Sequence, residues 1–200
     1  MSIKDNLNHA VSEKDLLRHP FYQAWSAGTL PAEALQTYAR EYGAFIGMLP
    51  RAWETLHDAE TAREEHEHAI LWEQFALALG TETTRQASLP EVRALAATAA
   101  RLFAHPASAA GALYAFEVQQ PATASSKLSG LRAHYALPVG SQRYFEIHSH
   151  NEHEAQKLAA RIASLSPEDQ AQAVQACSEM AGALWNALTG IHGMEKLTPA

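Results

Sequence analysis

One cysteine, Cys177, stands in 200 residues. That excludes an internal disulfide framework and any cysteine-built zinc or iron–sulfur site, and it suits a reducing cytoplasm. Basic residues are in deficit, 15 against 22 acidic, for a net charge of −7. A nucleic-acid or anionic-membrane partner would call for a basic patch, so neither is expected. No apolar run reaches the ~18 residues that a membrane-spanning helix needs. The opening Met1-Ser2-Ile3-Lys4-Asp5-Asn6 lacks the apolar stretch of a secretory signal. Strand signals are scarce too, with no sustained period-two run of β-branched residues.

Apolar residues and histidine are plentiful. Hydrophobic residues make up 47%, enough for a sizeable core, and there are 11 histidines. Prolines and glycines fall between long segments with helical periodicity. A first helix is expected over 2–18, a short one over 21–27 and a long one from 31 to 59 kinked at Pro50. The next run over 60–79, ending at Gly80, and from Pro90 to 105. A helix over 108–135 should kink at Pro121, and another is expected over 141–165. Ser166 is a helix N-cap, and the last helix runs to about residue 190. With no repeat or linker, residues 1–200 read as a single domain: an all-α bundle of seven to eight helices.

Three segments could carry chemistry. In Arg63–Trp72 the apolar stripe is Leu71, Trp72, Phe75 and Leu79, and stepping back by three and four puts His68 and Glu64 on the same inward face. The alternative is a solvated, Glu-rich helix start that suits the helix dipole. In Tyr144–Ala155 an unbroken helix would place His148 and Glu152, four apart, on the stripe that continues to Leu158 and Ile162. His150 and Glu154 then face solvent and His153 lies on a flank. Glu117 is a lone carboxylate in an otherwise uncharged run from Pro106 to Ser126. It is either hydrogen-bonded and half exposed, or a third helix's contribution to a metal site. Helical bundles hold di-iron and di-manganese centres with inward Glu and His from facing helices, and this donor set suits iron, manganese or zinc.

His19-Pro20-Phe21-Tyr22, Leu35–Tyr42, Leu71–Gly80, Ala112–Pro121 and Tyr144–His148 together resemble the family of the Chlamydia protein associating with death domains, within the haem-oxygenase-like superfamily that includes TenA and PqqC. The likeness runs from about residue 19 to residue 162. It implies a seven-helix haem-oxygenase-like bundle, a dinuclear non-haem centre of iron or manganese, and a homodimer. It also implies synthesis of p-aminobenzoate for folate, with O2 oxidising one of the protein's own tyrosines or a small aromatic substrate. On this resemblance Tyr22 is the sacrificed side chain, Tyr38 the second tyrosine and Lys127 the amino donor, and Tyr144 matches a further family tyrosine. The metal ligands would be His68, Glu117, His148 and Glu152, with Glu64 as the first carboxylate and Glu60 and Glu65 as competitors for that place.

Two departures bear on the second metal. The family has a histidine where this chain has Ala155, and the stretch from Pro50 to His68 is shortened. One metal position is therefore expected to be weak or absent. If the whole site has decayed, the alternative is a metal-free binding or partner protein on the same fold. Cys177 does not match the mid-chain nucleophile of TenA-type enzymes and reads as a small buried hydrophobe.

Overall fold

The computed structural model describes residues 2–193, so the expected domain's extreme ends, residue 1 and residues 194–200, lie outside it. Among the described residues every regular element is helical: α1 (Ile3–Ser12), α2 (Pro20–Ser26), α3 (Ala32–Ile46), α4 (Leu49–Thr55), α5 (Ala59–Ala78), α6 (Pro90–Leu102), α7 (Pro106–Glu117), α8 (Gln120–His134), α9 (Arg143–His148), α10 (His153–Ala163) and α11 (Pro167–Gly193), with a 3₁₀ turn at Leu16–Arg18.

Punctuation residues act where expected. Ser166 caps α11, accepting from the Asp169 amide. Gly28 and Gly80 adopt positive φ, 67° and 76°, after α2 and α5, the left-handed C-terminal cap that glycine reaches without strain. The helix expected over 2–18 ends at Ser12, with only the 3₁₀ turn beyond it, and three other expected long helices are each divided. The 31–59 and 108–135 runs break next to Pro50 and Pro121, because each proline sits in the first turn of a new helix, where its missing N–H is no loss. The third break, between α9 and α10, has no proline. It falls in Ser149–Glu152 and changes which side chains face inward, as shown below.

Helix α7 lies at the centre. All its residues from Ala107 to Glu117 are buried, and α11, α10 and α4 pack around it. Alanine and glycine permit this closeness: a Cβ on Gly111 would lie 1.9 Å from the Ala173 carbonyl oxygen of α11. A second close approach joins α8 to α2. A Cβ on Gly130 would lie 2.7 Å from the Trp25 ring, and the Trp25 indole N–H donates to the Lys127 carbonyl at 3.1 Å. This contact brings Lys127 of α8 beside Tyr22 of α2. No helix among the described residues is long and apolar enough to cross a membrane.

Candidate metal centre and its tyrosine–lysine neighbour

Helix α5 buries Thr61, Ala62, Glu65, His68, Trp72, Phe75 and Ala76. The inward path therefore steps 75, 72, 68, 65, 61, alternating threes and fours as a 3.6-residue turn requires. This corrects the expectation for Glu64. Glu64 is only half-buried, whereas Glu65 is 1% exposed and its Oε1 lies 3.0 Å from His68 Nδ1. Glu60 is exposed in the first turn. Glu117 closes α7 and is 2% exposed.

His148 ends α9, fully buried. Its Nδ1 donates to the Tyr144 carbonyl at 2.8 Å, which leaves Nε2 as the free lone pair. Beyond it the chain leaves the helix, and α10 restarts at His153. The expected Glu152 is thereby displaced: it is the exposed residue before α10, and Glu154 is the buried carboxylate, 1% exposed. Asn151 Nδ2 donates to Glu154 Oε2 at 2.7 Å. His150 is exposed, as expected.

Glu65, His68 and His148 can each place a ligand atom within 4.8 Å of the others, and so can Glu65, Glu117 and Glu154. The two groups share Glu65, so a carboxylate stands between two cation positions. The His68 and His148 rings are 4.5 Å apart. Five residues from α5, α7, α9 and α10 thus converge in the core.

This cluster is unsatisfied without a ligand. Glu65 Oε2, both Glu117 oxygens, His148 Nε2 and Glu154 Oε1 are buried with no hydrogen-bond partner. Such atoms each cost ~1–3 kcal/mol or more when left unpaired, and native interiors seldom hold them together. Burial, then the Glu154 and Glu65 charges, pushes the Glu117 carboxyl well above the usual range. Burial and Glu65 push Glu154 up as well. His148 is lowered to about 3, by burial and then by His68, so its Nε2 is a neutral donor. Burial would lower His68 too, but its hydrogen bond and charge attraction to Glu65 outweigh that and raise it. Facing carboxylates joined by neutral imidazole are what a divalent cation relieves, and the donors fit iron, manganese or zinc.

Toward α2 and α3 the polar groups are paired. Tyr22 and Tyr38 share a hydroxyl–hydroxyl hydrogen bond of 3.2 Å. The Lys127 ammonium donates to Tyr22 at 3.4 Å and to Tyr38 at 3.3 Å and lies over the Tyr22, Tyr38 and Phe145 rings. Burial lowers Lys127 to about 7 and raises both phenols well above their usual value. The structure thus groups Tyr22, Tyr38 and Lys127, and buries Tyr144 between this group and the carboxylates. Gln120 Nε2, which the sequence did not single out, donates to the Tyr144 hydroxyl at 3.1 Å. Tyr144 stacks on His148 with ring centroids 4.1 Å apart, Trp72 lies 4.9 Å from Tyr144, and Tyr38 lies 5.3 Å from Trp72. The aromatic rings are continuous from the carboxylate–histidine cluster to the tyrosine pair.

Residues 50–185 match the haem-oxygenase-like family described as iron-containing redox enzyme. The chain belongs to that family. Two relatives are named 4-aminobenzoate synthase. The one from Chlamydia pneumoniae is 30% identical over 92% of this chain and 92% of its own length. The one from Nitrosomonas europaea is 30% identical over 96% of this chain and 91% of its own. A TenA homologue from Pseudomonas syringae shares the fold, with a TM-score of 0.79 at 16% identity over 96% of this chain and 93% of that one. The orphaned donors of α5, α7, α9 and α10 are a cluster that could hold a metal ion. The metal-free alternative is not favoured, because it leaves those groups buried without partners.

Proposed function

We propose that this chain is a cytoplasmic, homodimeric 4-aminobenzoate synthase of the non-haem dimetal type, which draws the ring from its own Tyr22 and the nitrogen from Lys127. Glu65, His68, Glu117, His148 and Glu154 would hold iron or manganese, and the bound metal would supply oxidising power from O2.

One observation carries the choice of an internal substrate. The cavity among Tyr22, Tyr38, Tyr144, Gln120 and Lys127 offers about 10 Å³ for a water centre, room for roughly one water and not for a free aromatic ring. The ring available there is the protein's own. The contiguous Tyr144, Trp72 and Tyr38 give short hops by which an electron leaves Tyr22. A phenol that loses an electron must release its proton, and Lys127, lowered to about 7, has a large neutral fraction at neutral pH to receive it. The amine is nucleophilic only when neutral, so it attacks the oxidised ring after that proton has passed on to water. Tyr22 is fixed beside it, so the two react as an intramolecular pair with a high effective concentration.

A second reading rests on a surface groove of about 340 Å³ that reaches Glu117 and is lined by Lys4, Tyr114, Glu152 and Ala155; it could admit an external aromatic substrate. Mass spectrometry of iron-loaded, reduced and oxygenated protein decides between them. The proposal expects the Tyr22 side chain to be lost once per chain, with no loss at that position in Tyr22→Phe. An intact Tyr22 in protein that still consumes O2 would establish the external substrate instead.

A further inference from the structure

The break after α9 does more than turn Glu154 inward. It sets His153 and Glu154 side by side at the start of α10, opposite the neighbours Glu64 and Glu65 of α5. Glu65 and Glu154 form the buried pair of this arrangement. Glu64 and His153 form an outer pair, one half-buried and one exposed. Ligand atoms of Glu64, His153 and Glu154 all lie within 4.8 Å of one another. Glu154 is 1% exposed, and its Oε1 has no hydrogen-bond partner. Lys157, one turn along α10, is held by Asp58 and Thr61.

We infer that Glu64, His153 and Glu154 form a separate rim site for a first-row divalent cation, sharing Glu154 with the buried centre. An imidazole with two carboxylates selects Mn²⁺, Fe²⁺, Co²⁺ or Zn²⁺ over Ca²⁺ or Mg²⁺, which prefer all-oxygen shells. Three protein ligands, one of them exposed, make the ion exchangeable, and the open positions are left to water. Glu154 lies at the junction of the rim group and the buried group, so an ion at the rim is one carboxylate from the interior. The site is built from the helix break after His148 and from the neighbouring glutamates Glu64 and Glu65. It needs no particular activity of the buried centre.

The test is calorimetric titration of tag-free, metal-stripped full-length protein with Zn²⁺. The parent should show a weaker event beside tighter binding. His153→Ala and Glu64→Gln should each weaken that event by roughly 10- to 100-fold or abolish it, since even groups that only orient a ligand cost this much. Tight binding and the melting temperature should not change, because His153 lies at the surface. His148→Ala should do the reverse, losing tight binding and keeping the rim event. His150→Ala controls for binding at exposed histidines and should match the parent. Isotherms of His153→Ala and Glu64→Gln that superimpose on the parent's would overturn the rim site and leave the buried centre standing. A parent that binds tightly with no weaker event would overturn it too. A parent that shows the rim event with no tight binding would count against the buried centre only.

Discussion

The tyrosine–lysine group and the carboxylate–histidine group are both buried and polar, and Tyr144 and Trp72 join them. They differ in how far the protein satisfies them. Tyr22, Tyr38 and Lys127 bond to one another, and the space among them is about one water in size. Glu65, Glu117, His148 and Glu154 turn oxygens and a nitrogen toward each other without partners. The first group is complete in itself, each polar end bonded to another. The second is left unbalanced, since only added positive charge or protons reconcile facing carboxylates in a core. A buried lysine in one and surplus carboxylates in the other are never paired, so each keeps its own chemistry.

The largest effect should come from emptying the second group. His148→Ala or Glu117→Gln should remove tight iron or manganese binding, measured by elemental analysis. Stripping the metal from the parent should lower its melting temperature. Saturation at ~100 times Kd contributes ~2.7 kcal/mol, or about 5–10 °C for a chain of this size. A parent whose melting is indifferent to metal would erase the contrast between the groups.

A smaller effect belongs to the first group. Lys127 has a folded pKa lowered to about 7 by burial, against ~10.4 unfolded. The unfolded chain therefore binds the extra proton between these values, and stability rises with pH across that window. Below about pH 7 the lysine is charged in both states and the cost of burying that charge is complete. The parent should gain about 2 kcal/mol more than Lys127→Met between about pH 7 and pH 9. Denaturant melts of both proteins at each pH isolate the lysine from other titrating groups. Parallel pH profiles would show that Lys127 is not buried as described.

The smallest effect sharpens the ligand choice. Glu152→Gln should change stability by under about 0.5 kcal/mol, as for most exposed positions, and leave metal content unchanged. Glu154→Gln should lower metal content. The opposite result would restore the unbroken helix through residues 148–155.

Much of this was legible from residue types. Tyr22, Tyr38, Lys127, Tyr144, His68, Glu117 and His148 were all singled out, and all are buried. For His68 and His148 the signal was the apolar stripe of their helices, and for Glu117 its isolation in an uncharged run; Tyr22, Tyr38, Lys127 and the role of Tyr144 came only from the family resemblance. Glu65 was within reach as well: walking back from Phe75 through Trp72 and His68 in alternating steps leads to 65, and a uniform step of four leads to 64. Glu154 had a fainter trace. Ser149 and Asn151 are poor helix formers that compete for backbone hydrogen bonds, but nothing local requires them to end α9.

The sequence by itself determined that this protein is a helical bundle with histidines and carboxylates on inward helix faces. Composition, spacing and caps are local properties, and each helix carries its own. Only the tertiary structure decided between Glu64 and Glu65, between Glu152 and Glu154, and that His153 stands beside Glu64. One residue is ~100° on a helix, so those choices depend on how α5 is rotated and where α9 stops. Both are set by packing, of α5 against α3, α4 and α9 and of α9 against α8 and α5, which no short stretch of the sequence contains.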